Sequence, residues 1–144
     1  MSDDGDDPPA SGRLDRTTME TIAQRSETHP LVVSWQFQPD RLSPRSLQIT
    51  LDESTYPESV AAVRLEIHWF ATGDYYIHYV ETHQETQYQC RWDRHPKTGV
   101  PRSHFHPPPD AGEAEVSPVG THHLDVLFEV LDWATERVSE LYDR

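Results

Sequence analysis

Cysteine is nearly absent. Cys90 stands alone in 144 residues, which excludes an intramolecular disulfide and any multi-cysteine zinc site. Lysine is as scarce: Lys97 is the one lysine among 12 basic residues, set against 25 Asp and Glu. No apolar run approaches the roughly 18–20 residues of a membrane-spanning helix, so no membrane partner is expected. The opening M-S-D-D-G-D-D-P-P-A is acidic, where a signal peptide needs a basic start and an apolar middle. The expected location is cytoplasmic. G-x-S-x-G, Walker A, H-E-x-x-H and G-x-G-x-x-G are all missing, which excludes hydrolases of those types.

A formal net charge of -13 ordinarily argues against a nucleic-acid partner. Acids spread over the whole chain, with arginine in place of lysine, instead suit a halophile whose interior holds molar salt. At about 1 M salt the Debye length is only ~3 Å, so a global negative charge repels little. RNA binding stays open, provided it uses short-range contacts.

What is present organises into a single α+β domain over residues 13–144, preceded by an acidic tail over 1–12 with nothing apolar to bury, expected to be disordered. Asp15 caps a short N-terminal helix from about Arg16 to Ser26, with Met19, Ile22 and Ala23 on one face. Leu31 to Gln38 reads as a strand with Val33, Trp35 and Phe37 on one side. Leu47, Ile49 and Leu51 alternate with polar residues in the next. Val60–Ala71 and Tyr75–Thr82 form a hairpin around Thr72-Gly73-Asp74, which sets Trp69 opposite Ile77 and Ile67 opposite Tyr79. A turn near Gln84-Glu85 leads into the strand ending at Asp93, with Ile77 opposite Trp92 and Tyr79 opposite Cys90. The best helix runs from about His122 to Tyr142, with Thr121 as N-cap. Its stripe is Leu124, Leu127, Phe128, Leu131, Ala134, Val138 and Leu141. The expected architecture is an antiparallel β-meander of four to six strands, covered on one face by this C-terminal helix.

This register puts Leu65, Ile67, Trp69, Ile77, Tyr79, Cys90 and Trp92 on the core face. It gathers Glu66, His68, Tyr76, His78, Arg91 and Asp93 on the other, with Arg91 opposite His78 and Asp93 opposite Tyr76. After Asp93 the chain enters a stiff loop. Between Tyr88 and Asp110 lie five of the twelve prolines and three of the nine histidines, His95, His104 and His106. His104-Phe105-His106 is an H-x-H. In extended chain both rings point the same way, which suits two ligands of one metal ion or two partners of one phosphate. Polar residues also belong in any surface loop. No acidic residue stands at ligand spacing from this pair, so a site without metal or other cofactor is expected. Arg91 and Asp93 share a face, where a carboxylate would hold the guanidinium for bidentate contact with phosphate. The plainer alternative is a cross-strand surface ion pair.

Tyr76-Ile77-His78-Tyr79, then Cys90-Arg91-Trp92-Asp93-Arg94-His95-Pro96, then a proline-bounded loop ending in His104-Phe105-His106 resemble the TumE-type toxins. The resemblance covers about residues 45–141. It departs where family members carry Asp-Asn-Ala-Pro-His-His and this chain has Asp93-Arg94-His95-Pro96-Lys97. It implies a toxin encoded beside a helix-turn-helix antitoxin, but no well-defined reaction. A small toxin rich in His and Arg with no obligatory metal is expected to act on RNA in a metal-independent, ribonuclease-like way. His78, Arg91, Asp93, His95, His104 and His106 fit the family pattern. The expected catalytic set is His78, Arg91, Asp93, His104 and His106, converging on one solvent-accessible pocket, with Tyr76, His95 and Arg102 expected to bind substrate. Two other functions remain: a non-catalytic protein-binding module, and a His-rich metal-binding protein.

Overall fold

The computed structural model describes residues 12–96, 102–117 and 119–144. The expected disordered tail therefore lies, apart from Gly12, outside the described residues. Helix α1 spans Arg16–Ser26. Seven strands follow: β1 Val32–Gln38, β2 Ser46–Leu51, β3 Ala62–Trp69, β4 Tyr75–Thr82, β5 Gln87–Arg94, β6 Ser103–His106 and β7 Glu115–Val116. Helix α2, His123–Tyr142, closes the chain. The strands form one sheet in sequence order, each antiparallel to the next. The α+β meander expected from the sequence is there, with one strand more than the upper bound of six. Two strands were not read from the sequence: β6, in the proline-rich stretch read as loop, and β7 after it.

Local chemistry accounts for the elements. Asp15 caps α1: its carboxylate accepts the Thr18 N–H at 3.0 Å and the Thr18 hydroxyl at 2.7 Å. α1 packs Met19, Ile22 and Ala23 over β1–β3 and touches α2, so both helices share one face of the sheet. In β1 the register shifts between Val32 and Ser34, and Val32, Trp35 and Phe37 pair with Leu51, Ile49 and Leu47. This bulge turns Val33 outward, 62% exposed, against its expected place beside Trp35.

The β3–β4 turn also differs from expectation. It takes five residues, Phe70 to Asp74, closed by Phe70 N–H to Asp74 O at 2.9 Å and Gly73 N–H to Phe70 O at 2.8 Å. Gly73 sits at φ 90°, a conformation glycine adopts without strain. Trp69 therefore faces Tyr75, Ile67 faces Ile77 and Leu65 faces Tyr79. The shift is two residues, an even number, so every side chain keeps its expected face. The β4–β5 register is the expected one, with Ile77 opposite Trp92, Tyr79 opposite Cys90 and His78 opposite Arg91.

The core lies between this face and the helices. Leu65, Ile67, Trp69, Ile77, Tyr79, Cys90 and Trp92 are all buried in it. Trp133 of α2 meets the rings of Tyr79 at 4.9 Å and Trp92 at 5.2 Å. α2 begins one residue later than expected, because His122 rather than Thr121 is the cap and accepts the Leu124 N–H at 3.3 Å. Its buried stripe is Val126, Leu127, Val130, Leu131, Ala134 and Arg137. Leu124, Phe128, Val138 and Leu141 are only partly buried, so the stripe is rotated from the one expected.

Arg137 is buried because Glu81 waits for it. Its Nε donates to Glu81 Oε2 at 2.9 Å and its Nη2 to Oε1 at 2.7 Å. The Tyr79 hydroxyl and His83 Nε2 also lie 2.7 Å from the Glu81 carboxylate. Burial alone would raise the Glu81 pKa. The hydrogen bonds from Arg137, Tyr79 and His83 outweigh it and hold the carboxyl below its ordinary 4.5. A folded-state pKa below the unfolded one contributes stability that is full above 4.5 and fades as pH falls through the lower value. Glu81→Gln strands a buried guanidinium, which should cost about 3–5 kcal/mol at pH 7. Thermal melts should show the gap between wild type and variant narrowing in acid. A gap that does not change with pH would contradict the assignment.

Candidate functional site

The face away from the helices is where the chemistry collects. Strand parity sends Tyr76 and His78 of β4 and Arg91 and Asp93 of β5 outward, opposite to the core residues between them. β6 then extends this face. Asp93 pairs with His104, Arg91 with His106, and Phe105 with the core residue Trp92. The H-x-H thus does point both rings one way, as a strand alongside β5 rather than as a loop folded over it. Residues 97–101, the middle of the expected loop, lie outside the described residues.

Asp93 is the centre. It has no exposed surface, and neither has His104; His95 and His106 are 3% and 8% exposed. Arg91 Nε donates to both Asp93 oxygens at 2.9 Å. One carboxylate oxygen, Oδ2, faces three imidazoles. His106 Nε2 lies 3.1 Å away, His104 Nε2 3.7 Å and His95 Nε2 3.8 Å. Arg91 Nη2 reaches His106 Nε2 at 3.3 Å, which ties guanidinium, carboxylate and ring together.

The outer nitrogens of two rings are fixed by backbone. His106 Nδ1 contacts the Gly112 carbonyl at 2.8 Å, and His95 Nδ1 contacts the Pro96 carbonyl at 2.9 Å. A carbonyl only accepts, so Nδ1 carries the proton in both rings and Nε2 is the nitrogen turned to Asp93. The turn after β6 supplies the first of these carbonyls. It folds back on itself through Gly112 N–H to Pro107 O at 2.8 Å, and onto β5 through Gln89 N–H to Pro109 O at 2.8 Å.

The other expected site residues lie around this cluster. His78, opposite Arg91, hydrogen-bonds Gln89 Oε1 through Nε2 at 2.8 Å, and its Nδ1 sits 3.8 Å from Glu66. Its side chain is 29% exposed. The two-residue shift of β3 is what gives His78 Glu66 as its cross-strand neighbour. Tyr76 lies beside the His95 ring, centroids 5.4 Å apart. Arg102 is engaged elsewhere: its Nε and Nη2 donate to the two oxygens of the buried Asp74, each at 3.0 Å, and Arg94 joins them at 3.1 Å. The structure thus draws Asp93, His95, His104 and His106 into one buried cluster with the part-exposed Arg91 over it. It sets His78 and Tyr76 at the margin and ties Arg102 to the β3–β4 turn. The Gly112 and Pro96 carbonyls, Gln89 and Asp74 were missed from sequence. Gln89 alone had a signal, since it shares the parity of Arg91 and Asp93.

A small antiparallel sheet with helices on one face and a histidine–carboxylate cluster on the other is the class of protein seen here. The family model described as Toxin TumE matches residues 20–138, and the chain belongs to that family. The match begins inside α1, so it takes in a helix that the sequence resemblance, starting near residue 45, did not reach. No curated protein and no solved structure matches the chain.

The tautomers are open to direct measurement. Long-range proton–nitrogen correlation spectra should show Nδ1 of His95 and His106 protonated and shielded from solvent exchange. Protonation at Nε2 alone in either ring would contradict the arrangement.

Proposed function

We propose that this protein is the toxin half of a toxin–antitoxin pair and that it acts on RNA through the open face of β4–β6. The observation that carries the reading is Arg91: a guanidinium 40% exposed, gripped from beneath by a buried carboxylate and flanked by imidazoles. Cleavage of RNA at a 2′-hydroxyl needs a base for that proton, an acid for the leaving oxygen and a cation for the phosphorane charge. Arg91 suits the third role, since its fork matches phosphate oxygens and Asp93 fixes its orientation. His78 and His106, the rings with some exposure, suit the proton transfers. His104 and Asp93 are positioning residues beneath them, and Tyr76 offers a ring on which a base can stack. These residues supply all three roles without a metal ion.

The partner that silences such a toxin is read as a helix-turn-helix protein encoded next door, and the chemistry is read as running in molar salt. Induction without that neighbour should arrest growth, and Arg91→Ala at equal expression should relieve the arrest. In vitro, the same change should lower RNA cleavage by about 10²–10³ in rate, the loss seen when one stabilising donor is removed. Arrest by both proteins alike would overturn the site. Arrest by neither would overturn the toxin reading and leave a protein-binding module.

A further inference from the structure

We propose that Asp93, His104 and His106, with His95 as fourth ligand, bind a divalent transition-metal ion, zinc being the best match. The ligand atoms of the first three all lie within 4.8 Å of one another. Zinc holds imidazole nitrogen and carboxylate oxygen at about 2.0–2.2 Å in a tetrahedron, which places neighbouring ligand atoms roughly 3.3–3.5 Å apart. From Asp93 Oδ2 the Nε2 atoms of His106, His104 and His95 stand 3.1, 3.7 and 3.8 Å away. His95 lies outside the mutually close group of three, so its ring must move further than the other two to complete the tetrahedron.

Two further features favour the ion. Metal-ligating histidines characteristically donate their other N–H to a carbonyl or carboxylate, which fixes the ring and aims the lone pair. His95 and His106 make that contact with the Pro96 and Gly112 carbonyls. Asp93 and His104 are also direct partners across paired strands, so the backbone ladder sets their separation before any ligand arrives. Arg91 is the opposing charge. It contacts both carboxylate oxygens and lies 3.3 Å from His106 Nε2, so it must withdraw from Oδ2 and from that nitrogen when the ion binds, which a side chain 40% exposed has solvent to do. The ligand set contains no thiolate, which favours zinc, cobalt or nickel over a cuprous ion.

No metal was expected from the sequence, with one cysteine and no acid placed at ligand spacing from the H-x-H. Asp93 reaches it only through the β5–β6 pairing. An ion held there takes up the His106 Nε2 lone pair, so metal binding and proton transfer by that ring exclude each other. Zinc would then silence the RNA chemistry, and this consequence alone rests on the proposed function.

The test is made on the full chain stripped by chelator and titrated with Co²⁺, then with Zn²⁺. Wild type should bind one equivalent of cobalt with the intense visible bands of a tetrahedral ion, and zinc should bleach them. His106→Gln and His104→Gln should each weaken binding by at least about 10–100-fold, the loss already caused by changes one shell further out. Circular dichroism checks that each variant is folded. His122→Gln/His123→Gln, which removes the other close histidine pair, should bind as wild type does. Absence of cobalt bands in wild type overturns the proposal whatever the variants do, as does loss of binding in the His122/His123 variant. Because binding is read by spectrum, an absence of RNA cleavage would leave it standing.

Discussion

Four residue pairs between β5 and β6 carry the candidate functional face. Arg91 with His106, Trp92 with Phe105, Asp93 with His104 and Arg94 with Ser103 are all set by one antiparallel register. A slip of one residue would turn both histidines of β6 toward the core and Phe105 toward the polar face. Phe105 resists that slip, because its ring packs against Trp92 with centroids 5.2 Å apart. The apolar contact on one side of the sheet therefore holds the polar cluster on the other. The proline-rich turn adds to this by returning to β5 and placing the Gly112 carbonyl against His106.

The sheet divides its labour by parity. On the helix side, burial of aliphatic and aromatic side chains supplies the dominant favourable term. The buried ion pair there, Glu81 with Arg137, is saturated with hydrogen bonds, as a buried pair must be to avoid a large penalty. On the other side Asp93 is as deeply buried, yet its neighbours are three imidazoles and a half-exposed guanidinium. The same burial serves different ends. Glu81 is locked between α2 and β4, whereas Asp93 orients groups that can still exchange partners.

Much of the fold was legible because period-two and helical patterns are strong here. Asp15 as cap, the β4–β5 register and the sorting of Arg91 and Asp93 away from Cys90 and Trp92 all follow from local alternation. The turn lengths did not. A five-residue β3–β4 turn depends on Asp74 being held by Arg94 and Arg102, contacts some 20 and 28 positions along the chain. The bulge at Val33 escaped because it is a register shift against β2 with no mark in the local alternation, and β6 because proline-rich sequence reads as loop and short strands gain their identity from pairing. His104 and His106 were recognisable as a pair. Their convergence on Asp93 was not, since that is a cross-strand relation invisible along the chain. The rotation of α2 likewise followed Arg137, a charged residue no apolar pattern would place inside.

On the proposed function, the face formed by β4–β6, and not the helix-covered face, meets RNA. Chemical-shift mapping with an RNA oligonucleotide blocked by 2′-deoxy substitution tests it without requiring turnover. Perturbations confined to Tyr76, His78, Arg91, Asp93 and His106, with α1 and α2 silent, are the predicted result. Shifts clustered on α1 and α2, or none on β4–β6 at saturating RNA, would contradict the account.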